Sequence, residues 1–303
     1  MKKKILALTL ALVAVLSLSA CEKKPAANAG PVKIATKPMT EQYILGEMLG
    51  LIIEDAGYEV EITKGIGGST SNIQPAMEKG EFDLYPEYTS TGWVMVLDHE
   101  AIGVDDTKMF DDLKAEYQEK FDMTWVALYG FNNTYAVVVR DDIAQQYNLK
   151  TTSDLAAVAG ELNFGGNPDY QERADGFPLL CETYGLKFKS VSDIDIGLRY
   201  TAVQSGDIDV TNAFTTDAQL GNPAAGLVTL EDDLHLQVNY FCSTVVRQDA
   251  LEKYPELEKA LMKMDGLLSD SEMAHLNYLV EVEGADEKEV ARDFLVEKGV
   301  LKG

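Results

Sequence analysis

From residue 32 onward, segments patterned as strands alternate with segments patterned as helices, and this alternation limits the fold more than any other feature. VKIAT (32–36) and YEVEIT (58–63) are predicted as strands. Between them, residues 40–57 are predicted as a helix with a hydroxyl near its start and a glycine at its end. Residues from about 255 to 301 are mostly patterned as amphipathic helix. Such alternation predicts an α/β fold.

One short motif occurs twice in the chain. KGEFDL (79–84) and SGDIDV (205–210) each contain a glycine, an acid, an apolar residue, an aspartate and a second apolar residue. Eight residues after the glycine both copies carry a ring, which is Tyr88 in the first and Phe214 in the second. The matching offset predicts that the two rings have equivalent places in two similar units.

A second repeat supports the same interpretation. VVVRDDIAQQY (137–147) and VVRQDALEKY (245–254) each run from an apolar strand through arginine into a helix start. Tyr135 lies just before the first copy, and Tyr240 and Phe241 lie just before the second. Repeats this short also arise by chance. If they are real, they predict two lobes that deliver aromatic residues from matching strand ends.

The predicted architecture is two α/β lobes joined by two hinge strands, with a cleft between them. Lobe I is expected to span 32–136 and 242–303, and lobe II 137–241. Ligands bind open α/β sheets at the carboxyl ends of strands, which is where the four rings are expected. Such rings could form a box for a cation that donates no hydrogen bond, typically a quaternary ammonium. Each ring taken alone could instead be an ordinary core residue.

The N-terminus is typical of an exported lipoprotein. Residues 1–20 combine three lysines with an apolar run of signal-peptide length, too short for a comfortable membrane span. LSAC, ending at Cys21, has the pattern of a lipoprotein cleavage box, although ordinary secretion with an incidental cysteine is the alternative. Acylated Cys21 would anchor the protein at the outer face of a bacterial cell membrane, and 21–31 would be a flexible tether.

Composition and motifs argue against several other functions. With 26 basic and 50 acidic side chains, the chain has the wrong charge for binding nucleic acid. GIGGSTSN (65–72) lacks the lysine of a P-loop, and no GxSxG or HExxH motif is present. The histidines and cysteines show no metal-ligand spacing. We therefore expect no cofactor, no metal and no enzymatic activity; Cys181 and Cys242 either pair or stay free.

Six segments resemble the substrate-binding proteins of osmoprotectant ABC importers, the glycine betaine, carnitine and choline group. They are ATKPMTEQYILGEML, GEFDLYPEYTST, FNNTYAVVVR, QERADG, SGDIDVTNAFTTD and YFCSTVVR. The resemblance covers about Val32 to Leu301. It implies a type II periplasmic-binding fold, a monomer, and a small quaternary ammonium ligand passed to an ABC permease and its ATPase subunits.

The resemblance also implies which residues bind. Carried onto matching positions, the family's cage is Tyr88, Tyr135, Phe214 and Tyr240, and its carboxylate clamps are Lys37, Thr91 and Arg173. Phe214 stands where the family usually has tyrosine, and Ser90 where it usually has glycine. Tyr240 rather than Phe241 is the least secure of these assignments.

Three questions stay open at this point. A binding protein of the same fold for another solute, such as an amino acid, is one alternative, and a sensory lipoprotein that serves no transporter is another. The sequence does not identify which quaternary ammonium compound is bound.

Overall fold

The computed structural model describes residues 30–100, 105–172, 176–195, 198–222 and 224–303. The predicted signal peptide, the predicted lipidation site at Cys21 and most of the predicted tether lie outside these residues. The predicted clamp Arg173 does as well. Among the described residues, no helix is long and apolar enough to cross a bilayer.

The described residues form two five-stranded sheets. The strands are β1 (Val32–Ala35), β2 (Val60–Thr63), β3 (Leu84–Tyr88), β4 (Met123–Asn132), β5 (Tyr135–Arg140), β6 (Asn163–Gly166), β7 (Ser190–Asp193), β8 (Val210–Phe214), β9 (Leu227–Leu230) and β10 (Phe241–Arg247).

Helices cover both sheets. They are α1 (Thr40–Asp55), α2 (Thr70–Glu78), α3 (Thr89–Thr91), α4 (Asp106–Phe121), α5 (Asp141–Tyr147), α6 (Pro168–Glu172), α7 (Phe177–Tyr184), α8 (Arg199–Ser205), α9 (Gln248–Lys253), α10 (Leu257–Leu261), α11 (Asp270–Glu281) and α12 (Glu287–Glu297).

The strand order shows two lobes. The first sheet has the order β2-β1-β3-β10-β4, and the second has the order β7-β6-β8-β5-β9. Each sheet also contains an antiparallel strand. In the first sheet β10, from later in the chain, runs antiparallel to β3, and in the second sheet β5, from earlier in the chain, runs antiparallel to β8. The chain crosses between sheets after β4 and returns before β10. The predicted two-lobed α/β fold is confirmed, while the exact lobe boundaries stay predictions.

Helix α1 forms the centre of the first lobe because nearly its whole circumference is buried. Ile44, Leu45 and Met48 have no exposed surface. Its glycines allow the helix axis to approach the strands closely, since a Cβ on Gly46 would lie 2.6 Å from a methyl of Thr36. Helices α11 and α12 cover the other side of α1. The predicted amphipathic C-terminal helices therefore complete this core.

Strand β3 lies between two cores of the first lobe, because its successive side chains point to opposite faces of the sheet. Leu84 and Tyr88 face the core that contains α1, whereas Tyr85 faces the core that contains α2 and α4. Tyr85 is fully buried and donates its hydroxyl hydrogen to Gln74. Tyr85 is thus a packing residue, and Tyr88 belongs to the opposite face.

The second lobe has a separate core, and the two cysteines lie in different lobes. Phe164, Leu155 and Val210 are fully buried between β5, β6 and β8 and their helices. Cys181 packs at the edge of this second core, and Cys242 is buried in the first. Both thiols are free.

Helix α11 of the first lobe packs directly against the segment after β8 of the second lobe. Gly221 of the second lobe lies so close to α11 of the first that a Cβ on it would overlap the carbonyl oxygen of Ala274. Nearby, the Asn277 side-chain amide donates to the carbonyl of Thr216 at 2.8 Å. The observed arrangement of the lobes therefore requires glycine at position 221.

Replacing Gly221 with alanine should push the lobes apart, because the added methyl meets main-chain atoms that cannot move independently. The radius of gyration from small-angle scattering should exceed that of the wild type. Gly160→Ala is the matched control, since a Cβ there meets only the Lys187 carbonyl oxygen, at 3.8 Å. Identical scattering from the wild type and Gly221→Ala would contradict the observed contact.

Candidate functional site

A cavity of about 360 Å³ lies between the lobes, which is a typical size for a small-molecule site. Residues from both sheets and from both crossovers form its wall. They are Met39, Thr40, Glu41, Tyr88, Asn133, Thr134, Tyr135, Phe214, Thr216, Asp217, Ala218, Tyr240, Asn277 and Glu281.

The structure brings all four predicted rings to this cavity. Tyr88 is the last residue of β3 and Phe214 the last of β8. Tyr135 begins β5, which runs antiparallel to β8, so the register places it directly opposite Phe214. Tyr240 lies just before β10, and its neighbour Phe241 does not line the cavity. Strand ends in both sheets therefore place aromatic rings around the same space.

Two of the rings form one wall of the cavity in the second lobe. The centroids of Tyr135 and Phe214 are 4.9 Å apart and the rings are stacked, with an interplanar angle of 26°. Tyr170 packs behind Tyr135, with a centroid distance of 5.0 Å. Because Phe214 has no hydroxyl, it contributes only its ring to this wall.

Asp217 holds the second-lobe wall in place. It forms a salt bridge with Arg199, and it accepts hydrogen bonds from the Tyr200 hydroxyl at 2.6 Å and from the Phe214 main-chain N–H at 2.9 Å. Burial, and after it the charge of Asp217, raises the pKa of Tyr200, so this phenol stays a donor. Asp217 thus fixes the turn that presents Phe214, and its charge is compensated by Arg199.

Glu41 is the main polar group on the first-lobe side of the cavity. It is 4% exposed and accepts hydrogen bonds from the Tyr88 hydroxyl and, at 3.0 Å, from the Asn133 amide. Burial raises the pKa of its carboxyl group, although the hydrogen bonds from Thr216, Tyr88 and other donors oppose that shift. No lysine or arginine among the described residues forms a salt bridge with Glu41.

Lys37 does not line the cavity. Its ammonium pairs with the fully buried carboxylate of Glu87 and lies over the Tyr88 ring, 4.8 Å from the centroid. Thr70 donates to the second oxygen of Glu87 at 2.7 Å. The structure therefore places Lys37 as the partner of Glu87 behind Tyr88, and its role as a carboxylate clamp stays a prediction.

Two hydroxyl residues after Tyr88 form hydrogen bonds to the segment in which the chain returns to the first sheet before β10. Ser90 donates to the Asn239 carbonyl oxygen at 2.5 Å, and Thr89 approaches the same atom at 3.4 Å. Thr91, the predicted clamp, is half-buried in α3 and does not line the cavity. Because Asn239 directly precedes Tyr240, the hydrogen bond from Ser90 to Asn239 helps to position the Tyr240 ring.

Comparison with known proteins identifies the family. A family model described as the substrate binding domain of an ABC-type glycine betaine transport system matches residues 30–297. The chain belongs to this family, as its resemblance predicts. Proteins of this family bind substrate outside the cytoplasm for an ABC importer.

Individual relatives agree with this assignment. The ergothioneine transport permease/ergothioneine binding protein EgtU of Helicobacter pylori is 42% identical over 89% of this chain and 48% of its own length. The chain thus spans about half of that relative. The carnitine transport binding protein OpuCC of Listeria monocytogenes is 34% identical over 100% of this chain and 99% of its own.

A solved structure has the same fold over nearly the whole described chain. It is described as a glycine betaine/carnitine/choline ABC transporter and is 31% identical to this protein, with a TM-score of 0.83. The match covers 88% of this chain and 98% of that one.

The buried ion pair behind Tyr88 can be tested by stability. Lys37→Met should lower the free energy of unfolding by about 3–5 kcal/mol, because it leaves the Glu87 charge buried without its partner. The double variant Lys37→Met/Glu87→Gln should regain much of that loss, since no uncompensated charge remains. Urea unfolding measures both. A single variant as stable as the wild type would show that Lys37 does not hold Glu87.

Proposed function

We propose that this protein captures a small quaternary ammonium compound in the cavity between its lobes and delivers it to an ABC permease. The observation that carries the proposal is that four rings from both lobes surround one cavity whose wall also contains the buried carboxyl group of Glu41. Binding, with no chemical step, is the proposed activity.

The rings can supply much of the affinity. A cation over an aromatic face gains about 0.5–2 kcal/mol, so four rings supply roughly 2–8 kcal/mol. A micromolar complex needs about 8 kcal/mol, so further groups have to contribute. Glu41 is suited to this, because a cation in the cage favours the ionised form of the carboxyl group.

The distribution of charge around the cavity favours a cation over an anion. Lys37 is paired with Glu87, and Arg199 is paired with Asp217. Glu41 and Glu281 both line the cavity. An amino acid would bring an ammonium that donates hydrogen bonds, for which a wall of aromatic faces is a poor match.

The relatives support the same ligand class. The names of EgtU, OpuCC and the solved structure mention ergothioneine, carnitine, glycine betaine and choline. These compounds share a trimethylammonium head and differ in the rest of the molecule. We therefore propose only that the ligand of this protein carries the same trimethylammonium head. Arg173 stays a proposed contact for a ligand carboxylate.

Delivery to a transporter favours retention at the membrane. We propose that acylated Cys21 anchors the protein at the outer face of the cell membrane, where a permease and its ATPase subunits receive the ligand. A sensory role without transport would use the same cavity, and genes for a permease and an ATPase next to this one would distinguish transport from sensing.

Replacing Tyr135 with alanine tests the cage. Calorimetric titration of glycine betaine, carnitine, choline and ergothioneine into the purified protein should show affinities weaker by about 1–3 kcal/mol, because the cation-π and packing contributions are both lost. Tyr135→Phe should lose less, since the ring stays. Tyr147→Ala, a tyrosine of the same lobe that does not line the cavity, is the control. Equal binding by Tyr135→Ala and wild type would rule out the proposed cage.

A further inference from the structure

The carboxyl group of Glu41 lies at the hydroxyl end of the Tyr88 ring. Tyr88 belongs to the cavity wall, and its hydroxyl donates to Oε1 of Glu41. The ammonium of Lys37, which does not line the cavity, lies over one face of this ring. A cation that binds to Tyr88 therefore has the other face available, and the carboxyl group of Glu41 is one hydrogen bond away from the ring that holds it.

No described cation neutralises Glu41. Two other carboxylates near the cage are paired, Glu87 with Lys37 and Asp217 with Arg199. None of the lysines, arginines and histidines that the structure describes forms an ion pair with Glu41.

Charged side chains on other elements that pack against α1 pair elsewhere on that helix. Lys64, just after β2, pairs with Glu47, and Lys288 on α12 lies 3.8 Å from Glu54. Both of these acids come later in α1 than Glu41, so neither lysine compensates the charge at the start of the helix.

The described groups closest to Glu41 are neutral. They are the Tyr88 hydroxyl on β3, the Cys242 thiol on β10, the Asn133 amide between β4 and β5, the Thr216 hydroxyl after β8 and the Asn277 amide on α11. Burial raises the pKa of both Tyr88 and Cys242, so neither adds a charge at neutral pH. Glu281, also on α11, lines the cavity but is exposed, where water and salt screen its charge.

A buried charge of this kind can act on a ligand that it does not touch. An ionised carboxylate in the protein interior attracts a cation over several ångströms, because little water is present to screen the two charges. A neutral ligand of the same shape meets the same rings and gains nothing from that charge. Glu41 can therefore distinguish ligands by charge while the ligand itself contacts the Tyr88 ring.

We propose that Glu41 makes this site selective for positive charge, because its ionised carboxylate attracts a quaternary ammonium seated against the Tyr88 ring. This proposal rests on the proposed function. Glu41 acts through space and through the hydrogen bond from Tyr88, so it is a positioning residue, and the rings supply the shape of the site.

The same arrangement links binding to a proton. Burial raises the pKa of Glu41 in the protein without ligand, and a bound cation lowers that pKa because it favours the ionised carboxylate. Between these two pKa values the carboxyl group releases its proton to solvent when the cation binds. Affinity for a cation should therefore be full above the raised pKa and should fall as the pH falls through this window.

A matched pair of ligands isolates the effect of charge. In 3,3-dimethyl-1-butanol, carbon replaces the quaternary nitrogen of choline, and the shape and the hydroxyl are kept. Calorimetry on Glu41→Gln should give a choline-to-alcohol affinity ratio about tenfold below that of the wild type, because one buried charge is lost. Glutamine has nearly the same shape and can still accept from the Tyr88 hydroxyl. Any loss of structure would weaken both ligands and leave the ratio unchanged.

Glu54→Gln is the control for net charge. Glu54 lies on the same helix, is exposed and does not line the cavity. This variant should keep the wild-type ratio, because water and salt screen a charge at the surface.

A pH series on the wild type tests the proposal without any variant. The choline-to-alcohol ratio should fall as the pH is lowered from about 8 to 4.5, the ordinary pKa of a glutamate. Neither ligand titrates in this range, so a change in the ratio comes from the protein. In Glu41→Gln the ratio should be low at every pH.

The outcomes separate this proposal from the proposed function. If the wild type prefers choline but Glu41→Gln has the same ratio, or if the wild-type ratio does not change with pH, then another group selects the charge and the role of Glu41 is wrong. If the wild type binds none of choline, carnitine, glycine betaine and ergothioneine, the quaternary ammonium function itself fails, and this proposal fails with it.

Discussion

The antiparallel register of β5 and β8 is the constraint on which the cavity depends. It sets Tyr135 opposite Phe214, and the two rings stack against each other at the wall of the cavity. Asp217 then holds the turn after Phe214 through its bond from the Phe214 N–H. Preorganisation of this kind lowers the entropic cost of binding. The first lobe adds Tyr88 from the end of β3, held by Glu41, and the contact between the lobes closes the space.

Placement of charge then determines what the cavity can accept. Two buried cations that the structure describes near the cage are paired with carboxylates of their own lobe: Lys37 with Glu87, and Arg199 with Asp217. Glu41 is different. It is buried at the cavity wall, and the hydrogen-bond donors that the structure describes for it, Tyr88, Asn133 and Asn277, are all neutral. Desolvation raises its pKa, and a cation entering the cage opposes that shift. Among the residues that the structure describes, no lysine or arginine lines the cavity, so a cationic ligand meets no positive charge from this part of the wall.

The sequence predicts the framework of this protein better than its polar contacts. Strand and helix alternation and the two repeats predict two α/β lobes, and the four rings stand at strand ends as their spacing suggests. Local patterns could not reveal Glu41, since an acid in the first turn of a helix is ordinary. Asn277 lies 236 residues from Glu41, so no local pattern joins them. The pairing of Lys37 with Glu87 could not be predicted either, since Glu87 lies fifty residues further along the chain and only folding brings the two together.

The central claim is that the cage binds a positive charge and not merely an apolar group of the right shape. Choline and 3,3-dimethyl-1-butanol test it most directly, because the alcohol replaces the quaternary nitrogen with carbon and keeps the shape and the hydroxyl. Calorimetric titration of the wild type should show the alcohol binding about thirtyfold more weakly or worse, which corresponds to a loss of about 2 kcal/mol or more of cation-π attraction. Equal affinities for the two would contradict the account.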